Sequence, residues 1–206
     1  MEAPLAAAIG CGVDISEPHG NMLVNVGAGI TEVAVISLGG IVVSHSVRVA
    51  GETFDNAIVQ YVKKKYNISI GDVSAEQVKC EIGSVYYHKE MEKMEINGRD
   101  MVSGLPKTAI INTEEVRSVL SEHADGIVDA VKIALEDTPP ELASDIMESG
   151  IVLAGGGAKL RGLGRLINVG TDIPVYIAEE PMECAAAGAG KSLDFLAQMS
   201  RKPQFL

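Results

Sequence analysis

Between Met22 and Val49 the apolar residues fall into three short β-branched runs, Met22–Val26, Glu32–Ser37 and Ile41–Val49, separated by Gly27-Ala28-Gly29 and Gly39-Gly40. Runs of this length, bounded by glycine, predict three strands joined by tight turns. The third run sets Val43, His45, Val47 and Val49 against Ser44, Ser46 and Arg48, the period of two of a half-buried strand. From Glu52 to Tyr66 the period lengthens, and Phe54, Ile58, Tyr61 and Val62 share one face of a helix.

The middle of the chain has a different texture. Ser74 reads as the N-cap of a helix carrying Val78, Ile82 and Val85. Lys93–Ile96 and Lys107–Ile111 then read as two short strands around Asn97-Gly98 and Gly104. Residues 67–111 thus form a small insertion, a helix plus a hairpin, in a larger unit of 1–66 and 112–206. Asn112 and Glu115 match a capping box. Behind them Val116, Leu120, Ala124, Ile127, Val131 and Leu135 mark a long helix that Thr138-Pro139-Pro140 ends. An amphipathic stretch (Glu141–Met147), a strand (Ile151–Ala154), Gly155-Gly156-Gly157, a helix, a strand (Ile173–Ile177) and a last helix (Pro181–Met199) follow. The alanine-rich residues 2–10 read as a short helix between Pro4 and Gly10. The order of elements is that of an α/β protein.

Composition narrows the function classes. The net charge of −11 over 206 residues, with Lys63-Lys64-Lys65 the densest basic run, excludes the clustered cations that nucleic acid requires. No run approaches the roughly 20 apolar residues of a membrane span, so no transmembrane segment is expected. Three dispersed cysteines fit a reducing compartment. The histidines lack metal spacing, and His88 and His123 read as surface residues.

Chemistry concentrates in three places. Gly27-Ala28-Gly29 is either a tight hairpin or a backbone concavity for an anion. Gly155-Gly156-Gly157-Ala158, between a strand and a helix, offers amides at a helix N-terminus to a phosphate or a polar ligand edge. Neither the dinucleotide fingerprint nor the P-loop consensus is present. Glu76 and Lys79, three apart on a helix, are either a solvated ion pair or a carboxylate for ribose hydroxyls beside a lysine stem laid over a base.

The stretches EAPLAAAIG (Glu2–Gly10), TEVAVIS (Thr31–Ser37), VRVAGETFDNAI (Val47–Ile58), AEQVKCEIG (Ala75–Gly83), NGRDMVSGLPK (Asn97–Lys107), TPPELASDIMESGIVLAGGGA (Thr138–Ala158) and Ile173–Lys191 occur in the order found in bacterial actin homologues. The chain resembles the MreB/Mbl family, and specifically its C-terminal half, subdomains IIA and IIB. That resemblance implies an actin-like (ribonuclease H-like) ATPase fold, with residues 67–111 as subdomain IIB set into IIA. It implies ATP with Mg²⁺ as cofactors. Gly27, Ala28 and Gly29 match the second phosphate loop, Glu76 and Lys79 the ribose and adenine contacts, and Gly155, Gly156, Gly157 and Ala158 the adenosine loop. Asn25 stands where relatives carry the aspartate that organises the Mg²⁺ water shell.

The resemblance further implies a cytoplasmic, filament-forming protein, membrane-associated through its filaments, that directs wall synthesis and so determines cell shape. Expected partners are further copies, full-length MreB or Mbl filaments, and wall-synthesis and membrane-morphogenesis proteins. The alternatives are a non-catalytic module that binds such filaments or regulators, and a fragment of another phosphotransferase of the superfamily. With the first phosphate loop and the usual catalytic glutamate in the other half, and with Asn25, Ala28 and Ile30 departing from the Asp-x-Gly-Gly-Gly-Thr loop, hydrolysis by this chain alone is not expected. Ala6–Ile9 and Ala185–Ala189 are expected to face an uncovered surface.

Overall fold

The computed structural model describes residues 1–87 and 89–200, with side chains through residue 193; His88 lies outside the described residues. Strands β1 (Asn21–Val26), β2 (Thr31–Ser37) and β3 (Gly40–Val47) form the expected antiparallel meander. β1 also pairs in parallel with β7 (Ile151–Ala154), and β7 with β8 (Val175–Ile177), giving one sheet of order β3-β2-β1-β7-β8. β8 is shorter than the run Ile173–Ile177 suggests. Pro174 has no amide to give, and its carbonyl accepts from Ile151 N at 2.8 Å instead.

Both faces of this sheet are covered, which is why β1 and β2 carry continuous apolar runs, Met22–Val24 and Val33–Ile36, at their centres. Met22, Val24, Val26, Val33 and Val35 pack against α2 (Gly51–Tyr66) and α4 (Thr113–Glu136). Leu23, Ala34 and Ile36, one residue out of phase, pack with α1 (Ala3–Gly10) and α7 (Cys184–Ser200). The first alanine-rich segment is therefore not an uncovered face, whereas in the second Ala186, Ala187 and Ala189 are exposed as expected. Ala7 and Ala8 are fully buried, and a Cβ on Gly10 would lie 1.7 Å from the Cys184 carbonyl oxygen, so α1 and α7 meet backbone to backbone. The alternation read in β3 is that of an edge strand with one solvated side.

A second sheet, β4-β5-β6 (Ile68–Ser69, Lys93–Asp100, Pro106–Asn112), carries α3 (Asp72–Ile82), whose Ala75, Val78 and Ile82 meet Ile70, Ile96 and Ile111. The helix starts at Asp72 with Gly71 as N-cap, three residues ahead of Ser74. It ends at Gly83, whose amide closes on Lys79 O at 3.0 Å and whose extended ψ turns the chain away, leaving Val85 outside the helix. The hairpin turn also lies further along than Asn97-Gly98. β5 runs to Asp100, and its carboxylate accepts from the amides of Val102 and Ser103 at 3.0 and 2.8 Å. These donors, with Lys107, hold that carboxyl well below the usual carboxylate range. Gly98 stays inside the strand because a Cβ there would sit 2.4 Å from Ser69 O on the paired β4.

The long helix α4 begins with the capping box read from Asn112 and Glu115, both bonds at 3.0 Å. α5 (Pro140–Ser149) and α6 (Leu163–Thr171) complete the element order. No helix among the described residues is long and apolar enough to cross a membrane.

Candidate functional site

β1 and β7 are adjacent and parallel, with Asn25 opposite Ala154, so the two glycine segments that follow them emerge side by side. Crevices beyond the carboxyl ends of such strands are where open α/β sheets place ligands. The first segment, Gly27–Ile30, closes the β1–β2 hairpin through Gly27 N to Ile30 O at 2.9 Å. The carbonyls of Gly27 and Ala28 accept from Gly51 N (3.1 Å) and Glu52 N (2.8 Å), satisfying two amides that the first turn of α2 leaves open. The amides of Ala28, Gly29 and Ile30 have no partner among the described residues. Three successive free amides form a concavity suited to an anion.

The second segment lies against the end of β1. Gly155 adopts φ +83°, donates to Pro181 O at 2.7 Å, and leaves no room for a side chain, since a Cβ would be 2.3 Å from Val26 O. Gly157 is as tight, 2.2 Å from Val26 Cγ1 by the same measure. The amides that follow belong to a 3₁₀ turn, Gly156–Lys159, and α6 starts only at Leu163. The glycines thus open a single turn where a helix N-terminus was expected.

Facing these loops, α3 presents Asp72, Glu76 and Lys79. Together with the start of α2 they enclose a cleft of about 900 Å³, at the upper end of the range for small-molecule sites. Gly27, Ala28, Glu76, Lys79, Gly156 and Gly157 all line it. Gly29, Gly155, Ala158 and Asn25 do not. Ala158 is fully buried, and Gly155 and Asn25 stand behind the wall, with the Asn25 amide donating to Glu32 Oε2 at 3.3 Å.

Glu76 and Lys79 do not pair with each other. Lys79 Nζ lies 2.8 Å from Asp55 Oδ2 and donates to Gly51 O at 3.3 Å, tying α3 to α2. Burial raises the Asp55 carboxyl above its ordinary value, outweighing the attraction of Lys79. Asp55 and Glu52, which the sequence reading passed over, both line the cleft. Their signal was positional: two carboxylates three apart on the helix that opens immediately after the strand meander.

The shape and the free amides fit a nucleotide, with a phosphate at the first loop. The donors fit a protein-held cation less well. Asn25 offers one neutral oxygen off the lining, and no group of three His, Cys, Asp or Glu suited to a metal occurs among the described residues.

Comparison with known proteins agrees with this geometry. The family model for MreB/Mbl protein matches residues 1–201. The cell shape-determining protein MreB of Escherichia coli (strain K12) is 50% identical over 196 residues, 95% of this chain and 56% of the relative. The cell shape-determining protein Mbl of Bacillus subtilis (strain 168) is 45% identical over 201 residues, 98% of this chain and 60% of the relative. The chain therefore spans under two thirds of the length of these curated relatives. Among solved structures, MreB5 of Spiroplasma citri bound to ADP superimposes with a TM-score of 0.94 at 41% identity, over 98% of this chain and 62% of that one. The same protein bound to AMPPNP gives 0.91 at 42%, over 97% and 61%. A MamK double helical filament, at 22% identity and TM-score 0.77 over 94% of this chain and 58% of that one, shares the fold. The fold is that of the actin-like proteins, and the chain belongs to the MreB/Mbl protein family.

Proposed function

We propose that this chain forms the part of a cell shape-determining cytoskeletal protein that binds adenine nucleotide from one side of the cleft. The observation that carries the reading is the convergence of Gly27 and Ala28, Glu76 and Lys79, and Gly156 and Gly157 on one hollow. The free amides of the first glycine segment take the phosphates, with Ala28 the one of the three residues that lines the cleft itself. Glu76, exposed and without a partner among the described residues, accepts from ribose hydroxyls. The Lys79 stem flanks the base, and Gly156 and Gly157 hold the adenosine edge. Nucleotide in two structures of one relative of the same fold supports this assignment. Asn25 supplies at most a neutral oxygen toward Mg²⁺, so a hard cation in this site rests mainly on the nucleotide phosphates. Residues 1–66 and 112–206 form the larger unit and 67–111 the inserted one, a division supported by the two separate sheets.

In this reading the chain joins filaments of its own kind or of full-length MreB or Mbl in the cytoplasm. Through them it reaches the membrane and the wall-synthesis proteins. A second reading, a module that binds filaments without hydrolysis, is favoured by the loop substitutions Asn25, Ala28 and Ile30. Calorimetric titration with ADP is expected to give saturable one-site binding; a flat titration would remove the nucleotide assignment. Sedimentation with full-length MreB tests the filament half, and the chain is expected in the pellet. ATP-dependent pelleting of the chain alone favours the first reading over the second.

A further inference from the structure

The floor of the cleft holds a charge pair, Lys79 with Asp55, and the nucleotide reading gives Asp55 no task. Asp55 lies one turn into α2, and its carboxylate reaches Lys79 on α3 at 2.8 Å, where the ammonium also meets Gly51 O. The two side chains are 16% and 14% exposed, so the pair is largely removed from solvent screening. The second carboxylate oxygen, Oδ1, is enclosed and unpartnered. Asp72 and Glu76 lie on the same side of α3 and add negative charge around the lysine.

Lys79 therefore spends its charge at the base of the cleft, and its methylene stem is what remains for a ligand. Resting on the nucleotide reading above, we propose that Asp55 is a positioning residue that sets ligand selectivity. By holding the Lys79 ammonium at Gly51, it makes the cleft favour the nucleoside end of a ligand over the polyphosphate end, which is left to neutral backbone amides. A free lysine in the same place would act as a mobile counter-charge for phosphates.

Adenosine and tripolyphosphate, titrated separately into the whole chain, test this. Asp55→Asn is expected to weaken adenosine binding about fivefold and to strengthen tripolyphosphate binding about fivefold, the size of one partly buried charge interaction. Adding Lys79→Met to that variant is expected to remove the gain for tripolyphosphate. A purely structural role would lower both affinities together, and that result, or no change in either, would overturn the proposal. Acylation of Lys79 by an N-hydroxysuccinimide ester, followed by mass spectrometry without ligand, checks the restraint itself. It is expected to be slower than at the exposed Lys63 and Lys64 and to accelerate in Asp55→Asn; equal rates in the unaltered chain would overturn it. Absence of adenosine binding in the unaltered chain would instead sink the nucleotide reading and the selectivity claim with it, while the lysine reactivity still decides the restraint.

Discussion

Gly155→Ala is expected to destabilise the chain by about 3 kcal/mol and to weaken nucleotide binding by about a hundredfold. Two effects add. The backbone there sits at φ +83° and ψ 167°, a region essentially reserved for glycine in which another residue is strained by about 1–3 kcal/mol. The new methyl would also meet Val26 O at 2.3 Å, Val26 C at 2.7 Å and Asn25 Oδ1 at 2.9 Å. The first two are backbone atoms of a central strand, bonded on both sides, so the strand holds its place and the glycine segment moves. That movement shifts Gly156 and Gly157, which line the cleft. Urea denaturation measures the stability loss and ADP titration the affinity. Gly104→Ala separates strain from site geometry: it too has positive φ, but lies in a hairpin turn with open space around it. It is expected to lose stability without losing binding.

The second large effect centres on Glu115. Its Oε1 accepts from Tyr61 Oη (3.1 Å), Tyr66 Oη (2.7 Å) and the Lys65 ammonium, while Oε2 accepts from Asn112 N (3.0 Å). Tyr66 Oη also lies 3.0 Å from Ile110 O, an alternative acceptor for its single proton. These residues bracket the two points at which the chain passes between the large sheet and the small one, the end of α2 and the start of α4. Glu115 is thus the node that fixes one sheet against the other. Its side chain is 12% exposed, and Glu115→Ala strips several charge-assisted hydrogen bonds at once, for an expected loss of about 3 kcal/mol. In a chain of this size that lowers the melting temperature by roughly 6–12 °C.

The same node gives a pH dependence of defined sign. Burial opposes ionisation of Glu115, but the donors from Lys65, Tyr66, Asn112 and Tyr61 outweigh it and hold the pKa below its ordinary 4.5. A group depressed on folding contributes stability that is fully present above the unfolded value and lost as pH falls through the folded one. Tyr66, pushed up to about 12 chiefly by burial and then by its bond to Glu115, stays a donor throughout. Thermal melts of the unaltered chain should therefore weaken below about pH 4.5. Glu115→Gln should start lower and lose less of its stability over the same interval. Parallel pH profiles for the two would place the acid sensitivity elsewhere.

Much of the fold was legible because its determinants are local. The meander announced itself through β-branched runs between glycines, and α4 through a capping box and an unbroken face from Val116 to Leu135. Where the reading slipped, a partner distant in sequence had decided the outcome. Asn97-Gly98 looks like a turn until β4 is laid across it, at which point the glycine becomes the only residue that fits. The alanines of α1 look like an open surface until α7 arrives from nearly two hundred residues away and closes on them. The site followed the same rule. Each glycine segment could be suspected singly, and the family resemblance joined them, but the parallel pairing of β1 with β7 is what sets them side by side. Asp55 escaped notice because its meaning lies wholly in its contact with Lys79, on another helix.

The central claim, that one hollow between the two glycine segments and α3 receives an adenine nucleotide, is tested most directly by mapping amide resonances of the ¹⁵N-labelled chain during an ADP titration. Shifts are expected to concentrate at Ala28, Gly29, Ile30, Glu76, Gly156 and Gly157. An unchanged spectrum, or shifts gathered at the opposite end of the strands around Val13 and His19, would contradict it.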